Sequence, residues 1–271
     1  MRVCFYGSCQ TTALCEALRA SAPTTVDGRG LELFACTNWE YITSGRPLPD
    51  RLWECDVLVY QPYHGTGSNL PYSTDVVRSR LKALKGADAI AIPFMSFDTY
   101  YFGGYGRDPR DRAGLFGRFP SVPPQLVSAT EVSPCLAALQ DPDLFREADL
   151  CRSLETDMAH IRRRDGECDV KIGDYVERNW RDVQLFWSSQ HPSQPLLQHV
   201  MDQLAERLTV AVVPTVPKDA LKSHAAPILP SVVRHLGLNF TPEQRWEKGP
   251  SVSLEEFVQE FVRHCDDTES S

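Results

Sequence analysis

Three short runs constrain this chain more than any other feature: Val3-Cys4-Phe5-Tyr6, Val57-Leu58-Val59-Tyr60 and Ala89-Ile90-Ala91-Ile92. Each is apolar throughout. A strand with one face in water alternates apolar and polar residues; a strand covered on both faces does not. Each run also ends sharply, at Gly7, at Gln61-Pro62 and at Pro93. Helical spacing separates them. Leu14, Ala17 and Leu18 follow the first run, and Val76, Val77, Leu81 and Leu84 precede the third, closed by Gly86. Alternation of Leu31, Leu33 and Ala35 predicts one further, half-buried strand. Buried strands divided by helices predict a parallel sheet with helices on both faces.

The segment from Phe94 to Pro134 reads as loop, with Gly103-Gly104-Tyr105-Gly106 followed by Pro120, Pro123 and Pro124. A loop of that length in a compact domain is usually functional or mobile. Helices dominate the rest. Leu150, Leu154, Met158 and Ile161 form one apolar face; Leu196, Leu197, Val200, Met201, Leu204 and Leu208 form another. Ser253 with Glu256 reads as a capping box before a last helix that turns Phe257, Val258, Phe261 and Val262 inward. The expected fold class is α/β: a helix-rich single domain, residues 1–265, around a small, mainly parallel sheet. The acidic tail 266–271 is expected to fray.

Composition narrows the function. A net charge of −8 repels phosphate backbones, which argues against general nucleic-acid binding. No stretch approaches 18 consecutive apolar residues, so no membrane span is expected. The N-terminus lacks the run of a signal peptide. Nine cysteines form no CxxC and no zinc spacing, which predicts reduced thiols in a cytoplasm. No GxGxxG, P-loop, HExxH or EF-hand pattern occurs, so nothing argues for nicotinamide, ATP or a metal.

Chemistry in such a sheet lies beyond the carboxyl ends of the strands. Three ends carry unusual polar residues: Gly7-Ser8-Cys9-Gln10, Gln61-Pro62-Tyr63-His64 and Pro93-Phe94-Met95-Ser96. Gly7 permits a tight strand-to-helix turn, and Cys9 then falls at a helix N-terminus. Free N–H groups there lower a thiol pKa and hold an oxyanion or phosphate. Against this stands the ordinary fate of a free cysteine, which is quiet burial. His191, fixed by Pro192 and Ser193 before a helix, is placed to be a general base, or simply makes a structural hydrogen bond. His224, at a loop before Pro227, and His64 are further candidates; His160, His199, His235 and His264 fall in helical patterns. Arg107, Arg110, Arg112 and Arg118 suit a phosphorylated ligand, or a solvated loop offset by Asp108 and Asp111. Arg162-Arg163-Arg164 reads as a solvated helix end.

These residues resemble a known family. Tyr6-Gly7-Ser8-Cys9-Gln10 is similar to the Gly-Asn-Cys-Gln signature of the WcbI-like family of capsule and polysaccharide biosynthesis acetyltransferases. The resemblance continues through Cys55 to Gln61, Ile92-Pro93, Tyr100-Tyr101-Phe102, Leu185-Phe186, His191-Pro192-Ser193 and Pro227 to Val232, in order to about residue 240. Ser8 stands where the family usually has Asn; its hydroxyl can donate to an oxyanion only with a shorter reach than an Asn amide. The resemblance implies binding of coenzyme A or acetyl-CoA and acyl transfer to a saccharide hydroxyl. On it, Cys9 is the nucleophile or lines the thioester site, and His191 is the base with His224 in reserve. Gly7, Ser8 and Gln10 supply turn geometry and donors, and Asn38, Gln61 and Ser193 contact ligand. The strand–turn–helix is also similar, distantly, to the nucleophile turn of SGNH hydrolases, with Cys9 in place of serine. The Asp expected three residues before the base histidine is missing, since position 188 is Ser and Asp219 lies five before His224. An ester or thioester hydrolase and a non-catalytic binding module are the alternatives.

Overall fold

A computed structural model describes residues 1–102, 131–242, 245–247, 251–253, 255–256 and 258–259. The arginines of the central loop, the inward residues Phe257, Phe261 and Val262, His264 and the acidic tail lie outside the described residues. The chain divides into two compact units. One comprises Met1–Met95, Ile161–Val176 and Gln194–Ala220; the other comprises Ser96–His160, Glu177–Ser193 and Leu221–Ser271.

The first unit is built on a four-stranded parallel sheet in the order β2-β1-β3-β4, formed by β1 (Arg2–Gly7), β2 (Glu32–Thr37), β3 (Val57–Tyr60) and β4 (Asp88–Ala91). The register pairs Cys4 with Phe34 and Leu58, and Tyr6 with Cys36 and Tyr60. These residues share one face and pack there with Leu52, Cys55, Ala91, Cys168, and Val77 and Leu81 of α3 (Thr74–Lys85). Val3, Phe5, Val57 and Val59 alternate to the other face and are buried too, which is why β1 and β3 read as unbroken apolar runs. α1 (Cys9–Ala20) buries Leu14 and Leu18 and packs on β1 and β2. α2 (Asn38–Ser44) follows β2 directly and buries none of its residues.

Three expectations need correction. On β2 the buried residues are Leu33, Phe34 and Cys36; Ala35 is only partly buried, because Phe34 and Cys36 point into the core cluster. On α3 Val77 and Leu81 are buried with Thr74, while Val76 and Leu84 lie in solvent; Gly86 does close the helix, at φ 65°. β4 starts at Asp88, and Asp88 and Ala89 are exposed because β4 is an edge strand. Farther along that edge, Ala91 donates its N–H to the Asp169 carboxylate at 2.7 Å. Its carbonyl accepts from the Asp169 and Val170 N–H groups at 2.8 and 3.1 Å. On the opposite edge Arg19 donates to the Leu33 carbonyl at 2.9 Å.

The remaining helices are α4 (Val132–Gln140), α5 (Glu147–Glu167), α6 (Gly173–Asn179), α7 (Gln194–Arg207) and α8 (Pro230–Leu236). All six expected apolar residues from Leu196 to Leu208 are buried; on α5 Leu150 and Ile161 are buried, Leu154 and Met158 partly. The arginine run is not uniformly solvated. Arg164 is partly buried, donates to the Phe94 carbonyl at 3.1 Å and lies over the Phe94 ring.

In the second unit, β5 (Phe186–Ser188) and β6 (His191–Pro192) make a small antiparallel hairpin with a bulge at Trp187. The turn Thr99–Tyr101 is anchored by buried Asp157, whose Oδ2 accepts from the Thr99 N–H at 2.8 Å and the Thr99 hydroxyl at 2.6 Å. From this turn Tyr101 donates to the Phe186 carbonyl, and the Tyr100 ring meets Phe97 edge-on. β7 (Arg245–Glu247) pairs with β8 (Ser251–Ser253). Ser253 and Glu256 do form a reciprocal capping box, Ser253 N–H to Glu256 Oε2 and Glu256 N–H to Ser253 Oγ. No helix among the described residues is long and apolar enough to cross a membrane.

Candidate active site

From β1 the chain passes to β2 on one side, while from β3 it passes to β4 on the other. The crevice between the carboxyl ends of β1 and β3 is therefore the switch point, where parallel sheets of this kind hold ligands. Ser8 and Gln61 meet there. Ser8 donates both its N–H, at 3.0 Å, and its hydroxyl, at 2.7 Å, to Gln61 Oε1. Gln61 Nε2 donates to Gln10 Oε1 at 2.7 Å and to the Pro93 carbonyl at 3.3 Å. Gln10 in turn donates to the Met95 carbonyl and accepts from the Met95 N–H. Both amides are buried, Gln10 at 0% exposure and Gln61 at 3%. One buried network thus ties together the ends of β1, β3 and β4.

Gln10 and Gln61 hold the turn through this network. Ser8 has its hydroxyl engaged by Gln61 and caps α1, accepting weakly from the Gln10 N–H at 3.3 Å. Gly7 is required for space, not for a special turn. A Cβ there would come within 2.8 Å of Gln61 Oε1 and of Thr11 Cγ2.

Cys9 is the first residue of α1 and is only partly buried. Of the eight cysteines described, all free, six are buried and Cys151 is exposed. Burial pushes the Cys9 thiol pKa up. The Gln10 N–H, its own N–H and the Ser8 hydroxyl oppose that rise without reversing it. The expected depression by the helix N-terminus is therefore overturned: desolvation outweighs the local donors.

Next to Ser8-Cys9, across the Gly7–Thr37 register pair, stand Asn38 and Trp39 at the start of α2. The Thr12 and Thr37 hydroxyls meet at 3.2 Å between the two helices. Thr11 is fully buried, and its hydroxyl donates to the Ser8 carbonyl at 2.7 Å. Of these, only Asn38 was expected from the sequence. His64 is exposed and faces Asp75 at 3.7 Å.

In the second unit, His191 Nδ1 lies 2.6 Å from the Ser188 hydroxyl across the β5–β6 hairpin, a contact that fixes the ring. Ser193 is fully buried, its hydroxyl donating to the Gln184 carbonyl at 2.5 Å. His224 ends the short 3-10 turn Lys222–His224.

No curated protein matches the chain. A solved structure described as WcbI, a novel polysaccharide biosynthesis enzyme, is similar in fold. It superposes with a TM-score of 0.68 over 98% of this chain and 90% of that one, at 16% identity. That structure is of the native protein without a disulfide bond between coenzyme A and a cysteine near its own N-terminus. The family described as "Polysaccharide biosynthesis enzyme WcbI" matches residues 2–212, a span that contains the whole switch-point network, Cys9 and His191. The chain belongs to the WcbI family of polysaccharide biosynthesis enzymes.

Proposed function

We propose that this protein binds coenzyme A and moves an acyl group from acyl-CoA to a saccharide hydroxyl. The observation that carries the reading is the position of Cys9: a partly exposed thiol, at the switch point, at the start of a helix. The related WcbI structure is of the native protein without a disulfide bond between coenzyme A and one of its cysteines. Cys9 is the natural counterpart here, and a thioester sulfur seated beside it would bring the acyl carbon to the crevice.

Burial, which raises the Cys9 thiol pKa against the local N–H donors, supports direct transfer over an acyl-Cys9 intermediate. The acceptor hydroxyl oxygen attacks the thioester carbonyl carbon. The new C–O bond forms as the C–S bond breaks, and coenzyme A leaves as its thiol once the acceptor's proton reaches the sulfur. His191 is proposed as the base that takes that proton, its ring oriented by Ser188. The reduced thiols fit a cytoplasmic setting.

Calorimetric titration of the reduced protein with coenzyme A and acetyl-CoA tests the reading. Saturable binding is expected, and its absence at millimolar ligand would overturn it. Product analysis with and without sugars then separates transfer from hydrolysis. His191→Ala should lower turnover by about 10²- to 10⁴-fold with binding and folding retained. Bound coenzyme A with no acyl movement in the wild type would leave a binding module.

A further inference from the structure

Trp39 is the second residue of α2, at the carboxyl end of β2 beside β1, on a helix that packs against both β1 and the turn Gly67–Tyr72 that follows β3. Its side chain is exposed, with 54% of the residue's surface open. Its helix buries none of its residues, so the indole does not anchor α2 to the core. Leu70, 52% exposed, lies on the turn Gly67–Tyr72 that packs against α2, and adds to an open apolar surface at this edge. Asn38, the neighbouring residue, makes no side-chain hydrogen bond among the described residues. An indole is among the costliest side chains to leave in water. An open indole beside an uncommitted amide, just past the end of the strand paired with the one that leads to Cys9, suits a ligand with an apolar face and a hydroxylated edge.

A pyranose ring has that shape: axial C–H groups make one face apolar while hydroxyls ring the edge. The adenine of coenzyme A is the competing aromatic partner. It lies a full pantetheine arm from the sulfur, so with the thioester at Cys9 the ring nearest the thiol is the acceptor's. We propose that Trp39 is the stacking platform for the pyranose ring of the acceptor, with the Asn38 amide on its hydroxyls. This rests on the transferase reading and assigns it an acceptor subsite.

The test is a titration of ¹⁵N-tryptophan-labelled protein with methyl glucoside, methyl mannoside and methyl galactoside. The indole signals are read by NMR, with Trp39 assigned by its loss in Trp39→Phe. The Trp39 signal should shift saturably with at least one glycoside. Trp39→Ala should weaken that sugar about tenfold, and Trp39→Phe much less, while calorimetric affinity for coenzyme A stays within about twofold. Three results would overturn the proposal: a Trp39 shift with coenzyme A but with no glycoside, no shift with any glycoside, or unchanged sugar binding by Trp39→Ala. Failure of the underlying reading shows separately, as absent coenzyme A binding by the wild type.

Discussion

Replacing Gln61 by Ala removes four hydrogen bonds at once from the switch point. Ser8 N–H and hydroxyl lose their acceptor, while Gln10 Oε1 and the Pro93 carbonyl lose their donor. These losses are unequal. Gln10 Oε1 keeps the Met95 N–H, and the partly buried Ser8 groups are reachable by water. The 3.3 Å bond to Pro93 is long. What remains is one buried group without a partner, the Pro93 carbonyl, or about 1–3 kcal/mol. Cys4, buried in the same unit, is a built-in reporter of its opening. In the limit where reclosing outpaces labelling, alkylation of Cys4 by a small reagent should quicken roughly 5- to 150-fold. Gln61→Glu sharpens the test. It places a carboxylate oxygen against two acceptors, Gln10 Oε1 and the Pro93 carbonyl. A buried carboxylate has a raised pKa in the folded state, so the penalty should be full at pH 8 and shrink as pH falls toward about 4.3, the unfolded value. Less than about threefold faster Cys4 labelling in Gln61→Ala would show that the network does not hold the strand ends together.

Gly7→Ala should destabilise the protein by about 1–3 kcal/mol, because the new methyl meets Gln61 and Thr11 at 2.8 Å; an unchanged Tm would contradict this. Cys9 should alkylate more slowly than a free thiol at pH 7, with a rate still climbing above pH 9. A plateau below pH 8, read by peptide mass spectrometry, would mean a thiolate is stabilised there. Burial raises the Asp157 pKa to about 6, against the opposing Thr99 hydrogen bonds. Its contribution to stability is therefore full below pH 3.8 and is lost as pH rises through about 6, a change of about 3 kcal/mol. Asp157→Asn should flatten that part of the stability–pH curve, and a curve that keeps its slope would refute the assignment.

Much of the frame was legible in the residues themselves. β1 and β3 are buried on both faces and so read as unbroken apolar runs, and Gly86 marks a helix end because φ there is positive. Cys9 was legible because a strand, a small residue and a helical pattern follow one another without a gap. The pairing that shapes the site was not. Gln10 and Gln61 are 51 residues apart, and nothing local to either shows that their amides meet. The same holds for Gly7, whose need for space is set by Gln61 and not by its own turn. Nothing local to Ser193 shows that its hydroxyl turns to Gln184. The thiol pKa was misjudged for a related reason. Helix position is local and readable, whereas desolvation comes from residues distant in sequence.

The Asp169 clasp on Ala91 also explains why the sheet ends at four strands. An edge strand offers unpaired N–H and C=O groups to any passing strand, and this is a common route to aggregation. Here the carboxylate of Asp169 and the N–H groups of Asp169 and Val170 occupy those groups at the carboxyl half of β4. Arg19 stoppers the Leu33 carbonyl on the far edge. What stays open beside Ala89 is too short a template for an incoming strand and carries the charge of Asp88 next to it. On the β4 side, the end of the sheet that presents Cys9 is thereby closed to strand exchange.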